Sequence, residues 1–126
     1  MAKIISIIVP VHNEEKNIPL INAEILHVFE SLSLYDYEII YVNDGSKDKS
    51  QEVIENLAQD DKKIKSIEFS RNFGKEAATS AGLQYATGNA AIAIDADLQH
   101  PPQLILEFIK HWEGGGRCGY RNKNKK

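Results

Sequence analysis

Ala90-Ala91-Ile92-Ala93-Ile94-Asp95-Ala96-Asp97-Leu98-Gln99-His100-Pro101-Pro102 is the stretch on which the reading of this chain turns. Its apolar half, Ala90 to Ile94, is bounded by turn signals, as a strand buried on both faces would be. It ends in two carboxylates, Asp95 and Asp97, followed by Gln99, His100 and two prolines. The acids therefore stand at the carboxyl end of a strand, where open α/β sheets place their ligands. Two like charges this close repel, and a hard cation offsets the repulsion; oxygen ligands suit Mg²⁺ or Mn²⁺. Mg²⁺ keeps several waters and takes one or two carboxylates together with substrate phosphates. The pair thus points to a metal–diphosphate site. A bare Asp-x-Asp is a weak signal, and a solvated acidic turn capping the next helix is the competing reading.

Working outward, other apolar runs also end in polar loops. Ile4–Val11 is nearly continuous β-branched sequence, a buried strand whose Pro10 falls where a ladder donor can be missing. His12 to Lys16 form a polar loop, Asn17 is placed as an N-cap, and Pro19 falls in the first turn of a helix. Ile21, Ile25, Val28, Phe29 and Leu32 keep helical spacing. Glu38–Val42 is the second strand and ends in the turn signature Asn43-Asp44-Gly45-Ser46. Val53, Ile54, Leu57 and Ala58 make the face of a second helix, and Ile64–Phe69 alternates as a third strand. Ala77, Ala78, Ala81, Gly82 and Tyr85 line a third helix with small residues suited to close packing, ended by Gly88 as its C′ residue. Pro101 and Pro102 open a fourth, with Leu104, Ile105, Phe108, Ile109 and Trp112 on one face.

The β-α-β-α-β-α-β-α order predicts an α/β fold, a parallel sheet with helices on both faces. A doubly wound strand order 3-2-1-4 sets the switch point between the first and fourth strands. That brings the Pro10–Glu14 loop beside Asp95–Gln99, with the Asp44 loop next to it.

Composition removes several function classes. The chain has 126 residues, enough for one domain with a core. Its single cysteine, Cys118, excludes an internal disulfide and fits a reducing, cytoplasmic compartment. The apolar run after Lys3 lacks a small-residue cleavage site and reads as a strand, not a signal peptide. No apolar run approaches the roughly 18 residues of a membrane span. Arg117, Arg121, Lys123, Lys125 and Lys126 crowd the end of the chain without an acid, so the remainder is distinctly acidic. An acidic body argues against nucleic-acid binding, while the basic tail suits anionic lipid or plain solvation. The first strand is not followed by Gly-x-Gly-x-x-Gly, and no Gly-x-x-x-x-Gly-Lys-Ser/Thr occurs, which sets aside dinucleotide-binding and P-loop readings.

Four segments, each at a strand end, together resemble the family 2 glycosyltransferases, nucleotide-sugar enzymes of the GT-A fold. They are Ile8-Val9-Pro10-Val11-His12-Asn13-Glu14-Glu15, Val42-Asn43-Asp44-Gly45-Ser46, Ser70-Arg71-Asn72-Phe73-Gly74-Lys75-Glu76, and Asp95-Ala96-Asp97-Leu98-Gln99-His100-Pro101-Pro102. The third segment and the run from Gln99 to Pro102 look most like the polyprenyl-phosphate branch, which includes dolichol-phosphate mannose synthases and bactoprenol glucosyltransferases. The resemblance implies a Rossmann-like nucleotide-sugar-binding half over residues 1–113. It also implies metal-assisted, inverting transfer of a sugar from a UDP- or GDP-linked donor, UDP favoured, to a polyprenyl phosphate.

The same resemblance implies residue roles. Pro10, Val11, His12 and Glu14 would line the base and ribose pocket, and Asp44 would hydrogen-bond the base. Arg71 and Lys75 would face the sugar diphosphate. Gly74 would permit close backbone approach or start the helix. Asp95, Ala96 and Asp97 would bind the nucleotide, with Asp95 and Asp97 as catalytic residues and metal ligands and Gln99 as a further ligand of Mg²⁺ or Mn²⁺. Plainer alternatives stay open: a loop histidine at His12, Asp-Gly turn chemistry at Asp44, solvated charges at Arg71 and Lys75, and a helix-opening histidine at His100.

The chain also departs from the family pattern. The family carries tyrosine or phenylalanine where His12 stands, which alters stacking on the base. Its domain runs on into further strands and an acceptor site, and polyprenyl-type members add membrane helices and work at the cytoplasmic face of the membrane. After Glu113 the family continues into an apolar strand, whereas Gly114 to Lys126 are rich in glycine and base. Residues 114–126 are therefore expected to be an aberrant tail, from a frame shift near the glycine run or as a natural basic terminus. The chain is expected to be a truncated donor-binding half, either of an enzyme lineage or as a fragment that binds nucleotide and metal without transfer. A sheet short of its far strands exposes an edge, so aggregation or homo-oligomerisation is expected.

Overall fold

Strand and helix alternate through the computed structural model, which describes residues 3–96 and 104–113. The elements are β1 (Lys3–Val11), α1 (Ile18–Glu30), β2 (Tyr35–Asn43), α2 (Ser50–Asp60), β3 (Ile64–Glu68), α3 (Lys75–Tyr85), β4 (Ala90–Ala93) and α4 (Leu104–Glu113). The strands form one sheet in the order β3-β2-β1-β4, every pair parallel. This is the doubly wound order that the sequence predicts.

The apolar runs are continuous because both faces of the sheet are covered. Ile5, Ile7, Val9 and Val11 point to one face with Ile39 and Tyr41. There they meet Ile18, Ile21, Ile25 and Phe29 of α1, Ile54 of α2, and Ile105, Phe108 and Ile109 of α4. Ile8, Ile40 and Val42 point to the other face, against Ala78 of α3. Each fully buried isoleucine contributes about 1.5–3 kcal/mol, so the two faces of β1 are the centre of the stability of the domain. On the second face α3 rests directly on the sheet, since a Cβ at Gly82 would lie 2.5 Å from Cγ2 of Ile8.

Pro10 opens the functional end. The Ile8 carbonyl accepts from the Ile94 N–H at 2.9 Å, so backbone groups at Ile8, and two residues on at Pro10, face β4. The β1–β4 pairing ends at Ile8 and Ala93. The missing N–H of Pro10 therefore costs the ladder nothing, and the two strands part there.

Several expectations change. Asn17 stands at the N-cap position of α1 but has helical angles and makes no side-chain cap. Its Nδ2 donates to Glu14 Oε1 at 2.8 Å, and the Glu14 carbonyl takes the N–H groups of Asn17 and Ile18. β2 begins at Tyr35, ahead of the expected Glu38, because it pairs along the whole of β1 from Lys3 onward. Gly88 is not a left-handed C′ residue: α3 closes at Ala86, and Gly88 is needed where its Cα passes β1, a Cβ there lying 2.6 Å from the Ile4 carbonyl oxygen. Ala77 and Tyr85 of α3 are exposed, leaving Ala78, Ala81 and Gly82 as its packing face. Leu104 sits at the exposed margin of α4. Pro101 and Pro102 lie outside the described residues.

Candidate functional site

A cleft opens at the carboxyl ends of the strands, where β1 and β4 part. It is lined by Pro10, Val11, His12, Glu14, Asp44, Lys75, Asp95 and Ala96 and holds about 130 Å³. Pro10 and Val11 end β1, Asp44 follows β2, Lys75 is the first residue of α3, and Asp95 and Ala96 follow β4. His12 is shared with a wider neighbouring depression of about 790 Å³, bordered by Gly45, Lys47, Phe69, Arg71 and Asn72.

The loops after β1 and β2 are fastened to each other. The Asn13 N–H donates to Ser46 Oγ at 2.8 Å, and Asn13 Oδ1 accepts from the Lys47 N–H at 2.8 Å. Asn13 holds a left-handed φ of 57°, which asparagine tolerates better than most residues. The Glu14 N–H donates to Ser50 Oγ at 3.0 Å, and the Glu15 N–H to Asp48 Oδ2 at 3.2 Å. Asp48 also takes the Ser50 N–H and hydroxyl, satisfying the start of α2. Burial works against the charge on Asp48. Hydrogen bonds from the Ser50 hydroxyl and from the N–H groups of Ser50 and Glu15 outweigh it and hold the carboxyl below its ordinary range.

Asp44 joins these loops to the one that follows β3. It is 3% exposed. Its Oδ1 accepts from the Phe73 N–H at 2.7 Å, and its Oδ2 from the Gly74 N–H and Asn72 Nδ2, both at 3.0 Å. Its own N–H donates to the Val11 carbonyl at 2.7 Å. Its carbonyl accepts from Asn72 Nδ2 at 3.2 Å and lies 2.9 Å from His12 Nδ1, and His12 Nε2 lies 3.3 Å from Asn13 Nδ2. Next to Asp44, Gly45 has φ +69°, and a Cβ there would stand 2.3 Å from the Arg71 carbonyl carbon and the Asn72 nitrogen. Gly74 has φ +108° and immediately precedes α3, with no protein atom within 4 Å of where a Cβ would stand.

Lys75 Nζ meets Asp95 Oδ2 across the cleft at 2.7 Å. The lysine side chain is largely exposed and the aspartate largely buried. Of the residues singled out from sequence, Arg71 and Gly74 do not line the cleft: Arg71 lies over the Phe73 ring at 4.8 Å and borders the depression. Asp97, Gln99 and His100 lie outside the described residues. Among the described residues no three acidic, histidine or cysteine side chains gather as a metal cluster. Asp95 offers one carboxylate, which fits a Mg²⁺ or Mn²⁺ that takes one or two carboxylates and completes its shell with water and phosphate. Asn72 and Gly45 stand in strand-end loops, and no local pattern marks either as a site residue, because their partners belong to other loops.

An open parallel sheet with a polar cleft at its switch point is the design of an α/β ligand-binding domain. The chain belongs to glycosyl transferase family 2, whose sequence profile matches residues 6–123. An uncharacterized glycosyltransferase of Synechocystis sp. is 47% identical over 122 residues, covering 97% of this chain and 38% of that protein. A prophage bactoprenol glucosyl transferase homolog of Escherichia coli is 47% identical over 111 residues, covering 88% of this chain and 36% of that one. Among solved structures, a mannosyltransferase from Pyrobaculum calidifontis in complex with GDP-Man and Mn²⁺ matches with a TM-score of 0.61 and 25% identity, over 77% of this chain and 28% of that one. The architecture is thus the GT-A fold, and the chain spans little more than a third of the length of these curated relatives. Among the described residues no helix is long and apolar enough to cross a membrane.

Proposed function

We propose that the cleft binds the nucleoside diphosphate of a sugar donor, and that the chain is the donor-binding part of a transferase acting on a polyprenyl phosphate. The observation that carries this reading is the convergence of Pro10, Val11, His12, Glu14, Asp44, Lys75, Asp95 and Ala96 on one cleft at the switch point. The acceptor class is supported by the bactoprenol glucosyl transferase names among relatives of similar sequence. A UDP-linked donor is favoured, with GDP as the alternative base. Pro10, Val11, His12 and Glu14 border the base and ribose, and Lys75 is the donor to a phosphate oxygen. Arg71, on the adjoining depression, reaches the ligand only from its edge.

Asp95 would hold a divalent metal, with Asp97 and Gln99 as the other proposed ligands; when bound, such an ion acts as a Lewis acid on the departing diphosphate. Lys75 stabilises the same developing charge from the protein side. The acceptor phosphate oxygen forms its bond to the anomeric carbon as the bond to the diphosphate breaks, on opposite faces, which inverts that carbon. A phosphate is already an anion, so the attack needs little help from a general base. A second reading of the same cleft is binding of nucleotide and metal without transfer.

Calorimetric titration with UDP and GDP, with and without Mn²⁺, tests the proposal. Metal-dependent binding of one nucleotide supports it and names the base. A folded chain that binds neither removes the donor site. Incubation with labelled UDP-glucose and undecaprenyl phosphate then separates transfer from binding alone.

A further inference from the structure

We infer that Glu38 is a positioning residue: through Thr87 and Ser6 its carboxylate sets the register of β4 on β1, and so decides where Asp95 stands in the cleft. The register is a property of the sheet alone; its consequence for the cleft rests on the donor-binding reading above. β4 carries little register of its own. It has four residues, Ala90-Ala91-Ile92-Ala93, paired with Ile5 to Ile8. A slip of one residue would exchange its faces, but a slip of two keeps every side chain on the face it has. Toward α3 the strand presents Ala91 and Ala93, which have no side chain long enough to lock a position. On the other face Ala90, Ile92, Ile94 and Ala96 are buried, and a slip of two still sets Ile92 in the place of Ile94.

The strand is held by a clamp just before it. The Thr87 N–H donates to Glu38 Oε2 at 2.6 Å and the Thr87 hydroxyl to Glu38 Oε1 at 3.1 Å. The Ser6 hydroxyl donates to the same carboxylate, and its oxygen accepts from the Gly88 N–H at 2.9 Å. Hydrogen bonds to a charged acceptor are about twice as strong as neutral ones, and a shift of β4 in either direction breaks these. Glu38 is itself immobile: it is buried, stands opposite Ser6 in the long β1–β2 pairing, and keeps Lys65 Nζ at 2.8 Å. Asn89 adds an exposed pin, its Oδ1 accepting from the Ile4 N–H at 2.8 Å.

The far end of β4 thereby governs the near end. Asp95 stands just past the strand, where its Oδ2 meets Lys75 Nζ at 2.7 Å. Two residues of strand span about 7 Å, so a slip toward the cleft carries Asp95 out of reach of Lys75. A slip the other way would draw the carboxylate into the ladder beside Ile8, where its charge loses water. Release of the clamp therefore moves β4 toward the cleft.

The test records cross-strand nuclear Overhauser effects in the isotope-labelled chain. It compares Glu38→Gln with wild type and with Ile54→Val, a core change in α2, which packs on β2 and β3. Wild type and Ile54→Val should give one set of signals, joining Ile7 to Ile92. Glu38→Gln should add a second set for residues 90–94, joining Ile7 to Ala90. UDP and inorganic pyrophosphate, titrated with Mn²⁺, should then both weaken by the inverse of the fraction left in the native register, about twofold when the two sets are equal. A residue that only stabilises the fold would leave Glu38→Gln with one native set, and that result overturns the inference. A second set in Ile54→Val as well would make the slip a general loosening and overturn it equally. A second set with affinities unchanged would show that the register does not govern the cleft, which also refutes the role. If the wild-type chain binds neither probe, the donor-binding reading fails by itself, and the signal sets still decide the register. Should Glu38→Gln not fold, Ser6→Ala keeps the carboxylate but breaks its link to Gly88; it should show the same second set, and a single native set there refutes the role.

Discussion

Glu38 and Asp44 sit on and just beyond the same strand, and each is a buried carboxylate, 4% and 3% exposed, tying together loops from distant parts of the chain. Glu38 lies toward the end of the sheet away from the cleft. It takes the Ser6 hydroxyl at 2.5 Å, Lys65 Nζ at 2.8 Å, and the Thr87 N–H and hydroxyl at 2.6 and 3.1 Å. Ser6 Oγ in turn accepts from the Gly88 N–H at 2.9 Å, so β1, β2, β3 and the approach to β4 are joined through one charged group. Asp44, at the cleft, is held by neutral donors, and among the described residues it forms no ion pair. The closed end of the sheet compensates its charge internally. The open end leaves its carboxylates, with Glu14 and Asp95, facing a single lysine in the cleft lining. A buried carboxylate with its own cation belongs to the scaffold, whereas one held only by neutral amides stays coupled to the site it borders.

The most severe way to break this comparison is Glu38→Ala. It orphans the Thr87 N–H and hydroxyl and the Ser6 hydroxyl, while the half-exposed Lys65 can turn to water, so it should cost about 3 kcal/mol of unfolding free energy by urea denaturation. Asp44→Ala should cost less, about 2 kcal/mol, because water from the cleft can reach the released N–H groups. Equal losses in the two variants would mean that the cation partner makes no difference. The comparison is sharpened by pH. Burial opposes the charge on Glu38, yet hydrogen bonds from Lys65, Ser6 and Thr87 outweigh it and hold its carboxyl below the ordinary value of 4.5. A folded-state value below the unfolded one stabilises fully above about pH 4.5, and the stabilisation is lost as pH falls through the folded value. The gap between wild type and Glu38→Gln, about 1–2 kcal/mol at neutral pH, should therefore close on acidification, and a constant gap would refute the charge-based account. Least affected should be Lys63→Gln. Its pair with Asp36 is short, 2.6 Å, but about half exposed on both sides, so a change of about 0.5 kcal/mol or less is expected in the same assay.

The sequence made the sheet legible and the clamps illegible, for physical reasons. Ile4–Val11 and Ala90–Ile94 announce buried strands because burial on both faces leaves no room for polar alternation, and strand order follows from handedness once the element order is known. The polar residues at strand ends could likewise be gathered into one cleft. What Asp44 touches could not be read, because its partners, Asn72 to Gly74, lie about thirty residues away and no local pattern encodes that pairing. Glu38 was legible only as the start of a strand, since its partners come from three other segments. Gly88 was misread because a glycine after a helix looks the same in sequence whether it turns the chain or lets it pass a neighbouring strand. The length of β2 was missed because Tyr35-Asp36-Tyr37 breaks the apolar run, although Tyr37 packs on Phe29 at 5.2 Å between ring centroids.

The register of β1 also bears on how the chain finds its fold. Contacts to β2 close over 32 residues, as at Ser6 and Glu38, whereas contacts to the start of β4 close over 85, as at Ile4 and Asn89. In equilibrium terms the longer closure adds only about 0.9 kcal/mol of chain entropy. In time it matters more, because distant parallel pairing is slow. Until β4 arrives, β1 must wait with the side that later receives Ala90–Ala93 unpaired, an open template for another copy of the same strand. Refolding yield should accordingly fall with protein concentration well before native stability is in question.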